Sequence, residues 1–214
     1  MTQNTGITDS LKAFARIRGG TAQTASRLTD VQANFSPDPN SWSVAQNLDH
    51  LLLAEALYRG QMLRLLNLAR EGKRRNIDVT LQEVDLNLPF VPKAMMPLMA
   101  VPLTMFNIFV PSVAREAVLR FPVMKAKNPK VMEPSATKPN AILFEELRSS
   151  LAETATLFAG ELPPNAGQVT ISHPVFGRNT IANVLALMAA HEERHGKQMM
   201  GVLRHPRFPD HFAR

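Results

Sequence analysis

Two histidines, His191 and His195, stand four residues apart in the stretch Ala189-Ala190-His191-Glu192-Glu193-Arg194-His195. In a helix that spacing puts both imidazoles on one face, one turn apart. The stripe through them reads Ile181, Val184, Met188, His191, His195, Met199 and Val202, in steps of three and four. Both histidines therefore take inward-facing positions on an amphipathic helix. Buried imidazoles need polar partners. Two on one stripe can share a metal ion, since imidazole binds zinc, nickel and iron. A pair of hydrogen-bonded core histidines is the alternative. The chain has no cysteine, so any metal must be held by His, Asp or Glu.

The same residues match the His-Glu-x-x-His pattern of zinc proteases. That chemistry needs a third ligand further along the chain. No Glu follows His195, and Gln198 stands where the extended pattern requires glycine. Nor does any stretch read as a run of strands. The protease reading is set aside, and Glu192, turned about 100° from His191 by helix geometry, reads as a flanking residue. A third ligand could come from His50, His173, His205 or His211. Of these, His50 alone lies inside a clear helical pattern and near its apolar side.

Four long helical patterns position these residues. The first runs from Ile7 to Gln32, with Leu11, Phe14, Ile17, Leu28 and Val31 as inward candidates and Gly19-Gly20 weakening its middle. The second follows Ser43, which with Gln46 fits a capping box, and runs to about Arg70. Val44, Leu48, Leu51, Leu52, Leu65 and Leu66 form its apolar side, and His50 borders that stripe. The third spans Pro139 to Ala159. The last is capped by Asn179 or Thr180 and ends near Leu203. Gly160 to Arg178 reads as a loop, and Pro122 to Pro139 as a basic linker. The expected fold is all-α: a single-domain four-helix bundle over residues 1–214, with a long connection at about 72–138. Nine of the 16 prolines lie between Pro89 and Pro139. Ala94 to Ala114 carries no charge, yet Pro97, Pro102 and Pro111 interrupt it. It reads as a broken helix packed on the bundle or used for self-association, rather than a membrane span.

Composition narrows the partners. The formal charge is +6, with basic residues gathered between Arg59 and Arg75 and near the C-terminus. A nucleic-acid surface would interleave that charge with aromatics, and one Trp and one Tyr do not supply them. A solvated basic face is expected, with attraction of an anionic substrate left open. The polar Met1 to Ser10 has no signal pattern, so a cytoplasmic protein is expected.

Three motifs carry a resemblance. Trp42-Ser43-Val44-Ala45-Gln46 with His50-Leu51, then His173-Pro174-Val175-Phe176-Gly177, then His191-Glu192-Glu193-Arg194-His195 with Gln198, resemble the DinB/YfiT-like superfamily in order and spacing. The resemblance covers about Ile7 to Leu203. It implies a four-helix bundle holding a divalent metal on three histidines, here His50, His191 and His195. Nickel or zinc come first, iron or manganese second, and a low-molecular-weight thiol is a candidate second cofactor. It also implies a homodimer and a small-molecule substrate. The function so implied is a metal-dependent hydrolase or a thiol-dependent transferase. The alternative is a non-catalytic, stress-associated bundle with a structural or vestigial metal site. Gln46 and Glu55, one turn either side of His50, could orient a ligand or accept a proton. Their plainer roles are cap partner and surface residue, and His173 reads as a turn histidine.

Overall fold

The computed structural model describes residues 4–73, 76–78, 132–135, 138–173 and 177–209. Five helices and three short strands are present among them: α1 (Thr5–Ala25), α2 (Asp30–Ala33), α3 (Val44–Arg70), β1 (Asn76–Asp78), α4 (Asn140–Thr156), β2 (Thr170–His173), β3 (Gly177–Thr180) and α5 (Ile181–Leu203). The apolar segment Ala94 to Ala114 lies outside the described residues. No helix among those described is long and apolar enough to cross a membrane.

Local chemistry sets most helix starts. Ser43 Oγ accepts from the Gln46 backbone N–H at 3.1 Å, and Gln46 Oε1 accepts from the Ser43 N–H at 3.0 Å. That is the expected capping box, and it assigns Gln46 to the cap. Thr180, rather than Asn179, caps α5 through the Asn183 N–H. The first helical pattern is split in two. α1 ends at Ala25, and Thr29 opens a second capping box with Gln32. The carbonyls of Ala25 and Leu28 accept from the side-chain amide of Asn140 at the start of α4, so the chain ends exposed by the break are satisfied. Restarting the helix rotates Val31 outward, where it is 70% exposed. α1 itself runs unbroken through Gly19-Gly20, because packing of Ile7, Phe14, Thr21 and Ala25 outweighs local propensity.

The long helices close a ring in which α1 packs on α5 and α4, and α3 packs on α5 and α4. Two apolar clusters fill it. One joins Ile7 and Phe14 to Met62, Leu65, Leu66, Ile181 and Leu185. The other joins Ala25 to Val44, Leu48, Leu143, Leu147, Met199 and Val202. Read through these clusters, α1 and α5 run one way, and α3 and α4 run the other. Parallel α3 and α4 cannot be joined by a short turn, which accounts for the long connection between them.

A small sheet, absent from the sequence expectation, closes one end. β2 pairs with β1 in parallel and with β3 antiparallel. The segment read as a loop thus contains β2 and the start of β3. Its strands are four residues or fewer, too short for a period-2 pattern to register. Ile171 in β2 is buried in the first cluster, so the sheet is part of the core.

Candidate metal centre

Between the two apolar clusters lies a polar layer. On α3 it holds Asn47, His50 and Glu55; on α5, His191, Glu192 and His195; on α1, Arg18. All but His191 are buried; His191 keeps some exposure.

His50, far from merely bordering its stripe, is 1% exposed and points across the bundle. Its Nε2 lies 3.2 Å from His191 Nε2, and His195 Nε2 lies 3.1 Å from the same atom. Each of the three rings offers one nitrogen, all within 4.8 Å of one another. Among the other sequence candidates, His205 packs at a tilt against Phe35 and is not part of the cluster. His211 and the side chain of His173 lie outside the described residues.

Hydrogen bonds to the outer ring nitrogens decide which form the cluster takes. His50 Nδ1 is 2.7 Å from the Met132 carbonyl, which can only accept, so Nδ1 carries the hydrogen. His195 Nδ1 is 2.8 Å from Asn47 Oδ1. The Asn47 amide nitrogen donates to the Ser43 carbonyl at 2.8 Å, which identifies Oδ1 as the atom facing His195. His195 Nδ1 therefore donates too. In both neutral rings Nε2 is then a bare lone pair aimed at His191. A single N–H on His191 Nε2 can be aimed at only one of them, so at least one buried acceptor is left without a hydrogen. A cation among the three nitrogens satisfies all of them. Donors about 2.0–2.1 Å from a tetrahedral zinc lie about 3.3 Å from one another. The two separations at His191, 3.2 and 3.1 Å, are close to that value, the third is within 4.8 Å, and the donor set fits a divalent ion.

The surroundings favour neutral, ligating imidazoles. Burial, then the neighbouring His50 and Arg194, pushes His191 down to about 3. Burial, then His191, His50 and Arg194, pushes His195 down to about 2. His50 is also lowered, chiefly by burial, with the Met132 carbonyl acting in the opposite direction. His191 retains solvent contact as a residue, yet protein surrounds its ring, and the crowding governs its charge. Trp42 packs against the cluster, its ring 4.9 Å from His50 and 6.0 Å from His195, nearly parallel to the latter.

The Met132 carbonyl is held in place by the neighbour of His50. Asp49 accepts from the Ser135 N–H at 2.7 Å and from its hydroxyl at 2.9 Å, and it pairs with Lys138 at 2.8 Å. The described part of the proline-rich connection, through Met132, Ser135 and Lys138, is therefore strapped to α3 at the candidate metal centre, and this part of it is more than a linker. A carbonyl partner for His50 from so distant a segment leaves no trace in sequence spacing.

Two acidic residues depart from the sequence expectation. Glu55 is not on the surface, and Glu192 is not a bystander: they are 2% and 1% exposed. Arg18 Nε donates to both Glu192 oxygens at 2.8 and 2.9 Å, and Nη1 donates to Glu55 at 2.7 Å. Thr154 donates its hydroxyl to the other Glu55 oxygen at 2.7 Å. Burial alone would lower the Arg18 pKa, but Glu192 and then Glu55 outweigh it and raise it. A small cavity separates this network from His191, with Tyr58 and Met188 on its walls. Arg18 was legible in principle. It follows Phe14 by four on the buried face of α1, where a charge needs an acid opposite it.

A four-helix bundle with inward histidines facing one another across α3 and α5 belongs to the class whose metal sites are built in the bundle core. The particular family follows from the sequence: the DinB superfamily model matches residues 13–199, and the chain belongs to that superfamily. No curated protein and no solved structure matches it.

Proposed function

We propose that the protein is a metalloenzyme that acts on a small molecule, either as a metal-dependent hydrolase or as a thiol-dependent transferase. The observation that carries this reading is the convergence of three Nε2 atoms, two of them left as bare lone pairs because Met132 and Asn47 hold the Nδ1 hydrogens of His50 and His195. His50, His191 and His195 would hold the ion, with nickel or zinc the best match to three imidazoles. A divalent ion on three neutral ligands supplies Lewis acidity and a position open to water or a thiolate.

The protein's own residues prepare that position. Asn47 and the Met132 carbonyl orient two rings and keep their protons on the outer nitrogens. Trp42 covers part of the cluster and limits water there. Glu192 is engaged by Arg18 through both oxygens, which leaves it poorly placed to serve as the free base of a protease. We extend the proposal to a homodimer, on the grounds that Ala94 to Ala114 is a long uncharged stretch.

The test is metal analysis of the purified protein, followed by assays of the loaded form for ester or amide hydrolysis and for thiol transfer to electrophiles. One ion per chain, with turnover that His195→Ala abolishes, is expected. Full occupancy by an ion that neither exchanges solvent nor supports either reaction would favour the structural role.

A further inference from the structure

Arg194 lies one residue before His195 and three after His191, on the flank of α5 opposite Glu192. It is partly buried, and its Nε is fully buried without a hydrogen-bond partner. Among the described residues no carboxylate pairs with it. The contrast with Arg18, held by two acids in the same layer, is direct. The i,i+3 spacing on α5 makes Arg194 a surface neighbour of His191, with about 5–6 Å between their Cβ atoms. A guanidinium there repels a metal ion on the histidines, and burying its Nε unpaired costs free energy as well. Both costs are removed by one event, the arrival of an anion that faces the guanidinium and the ion together.

We propose that Arg194 is an anion-binding residue of the centre, which receives a carboxylate of a small substrate or cosubstrate whose other donor atom takes the open metal position. A planar guanidinium suits a carboxylate better than an ammonium does, because its N–H groups form a fixed fork. The inference rests on the metal-centre reading and adds the charge class of the ligand to it. It also gives the chain's basic balance a local use, since only an anionic ligand offsets the added positive charge.

The experiment compares two thiols that share a metal-binding sulfur and differ in the carboxylate, mercaptoacetate and 2-mercaptoethanol. The chain has no cysteine to exchange with either, and its single Trp, Trp42, stacks on the cluster and reports binding by fluorescence. Zinc content is measured first, then both thiols are titrated into zinc-loaded wild type, Arg194→Gln and Arg194→Lys. Wild type should prefer mercaptoacetate by about ten- to a hundredfold, the worth of a hydrogen bond to a charged group. Arg194→Gln should lose most of that preference while binding 2-mercaptoethanol as wild type does, and Arg194→Lys should fall between. Full zinc with no preference in wild type, or an equal preference in Arg194→Gln, overturns this proposal alone. Failure of wild type to hold zinc overturns the metal-centre reading with it. If Arg194→Gln does not fold, Arg194→Lys decides: a preference identical to wild type rules out the guanidinium contact.

Discussion

His195 donates its Nδ1 hydrogen to Asn47 Oδ1 at 2.8 Å, and Asn47 is in turn held by the carbonyl of its own helix cap, Ser43. The start of α3 thus sets the tautomer of a ring on α5. Removing such an outer partner typically lowers metal affinity about 10–100-fold. Asn47→Leu should therefore weaken zinc binding by that factor with the fold intact, as read by competition with a chelating dye. Unchanged affinity would mean that the bond to Asn47 does not orient the ligand.

His191 is the hub of the cluster, with a ring nitrogen on either side of its Nε2. His191→Ala leaves two donors separated by the gap it filled. It is expected to abolish stoichiometric metal retention after dialysis, measured by mass spectrometry of the metal. Retention of one ion per chain in this variant would contradict the assignment.

Arg18 sits between two buried carboxylates, and the effects of substitution should be unequal. Arg18→Met leaves Glu192 without its cation and Glu55 with only the longer pair to Arg59 at 3.8 Å, a loss in the range of about 3–5 kcal/mol for a broken buried pair. Glu192→Gln leaves Arg18 its bond to Glu55 and should cost less, about 1–3 kcal/mol. Urea denaturation of the metal-free proteins reads the order directly, and the reverse order would refute the pairing. Glu192→Gln is also expected to keep its metal. A protease-type role for Glu192 would instead show as a folded, loaded protein with activity reduced by about 10²–10⁴-fold.

Acid should weaken the metal-free fold in a window set by the histidines. His191 and His195 are held neutral, with folded pKa values of about 3 and about 2. A depressed folded pKa means that the unfolded chain takes up protons first. The stabilisation is complete above the ordinary value near about 6.5 and falls away as pH drops toward the folded values. By pH 5 the loss is about 2 kcal/mol per histidine. Asp49, whose burial is outweighed by its bonds to Lys138 and Ser135, has a lowered pKa and acts only below about 3.8. Thermal melts from pH 7 to pH 5 should therefore fall for the metal-free protein and fall less for His195→Ala. Equal slopes in the two proteins would show that His195 is not buried neutral.

Much of the bundle was written in local pattern. The Ser43–Gln46 box, the cap of α5, the inward stripe from Ile181 to Val202 and the long gap between α3 and α4 are all properties of short windows or of composition. Periodicity decides which residues share a face, and His191 and His195 were legible for that reason. Their third companion was not, since His50 on its own helix only bordered an apolar stripe. Residue types and order could nominate it through a family likeness, but only packing of α3 against α5 placed its Nε2 beside His191. The same limit explains Glu192. An angle of about 100° from His191 leaves a side chain at the edge of the buried arc, and the helix cannot say which way that edge falls. The neighbouring helix α1 decided it, by presenting a guanidinium that both Glu55 and Glu192 could reach. The buried charge and the two tautomers rest on contacts between segments far apart in the chain. A one-dimensional period carries no information about such contacts, and they arise only when the helices pack.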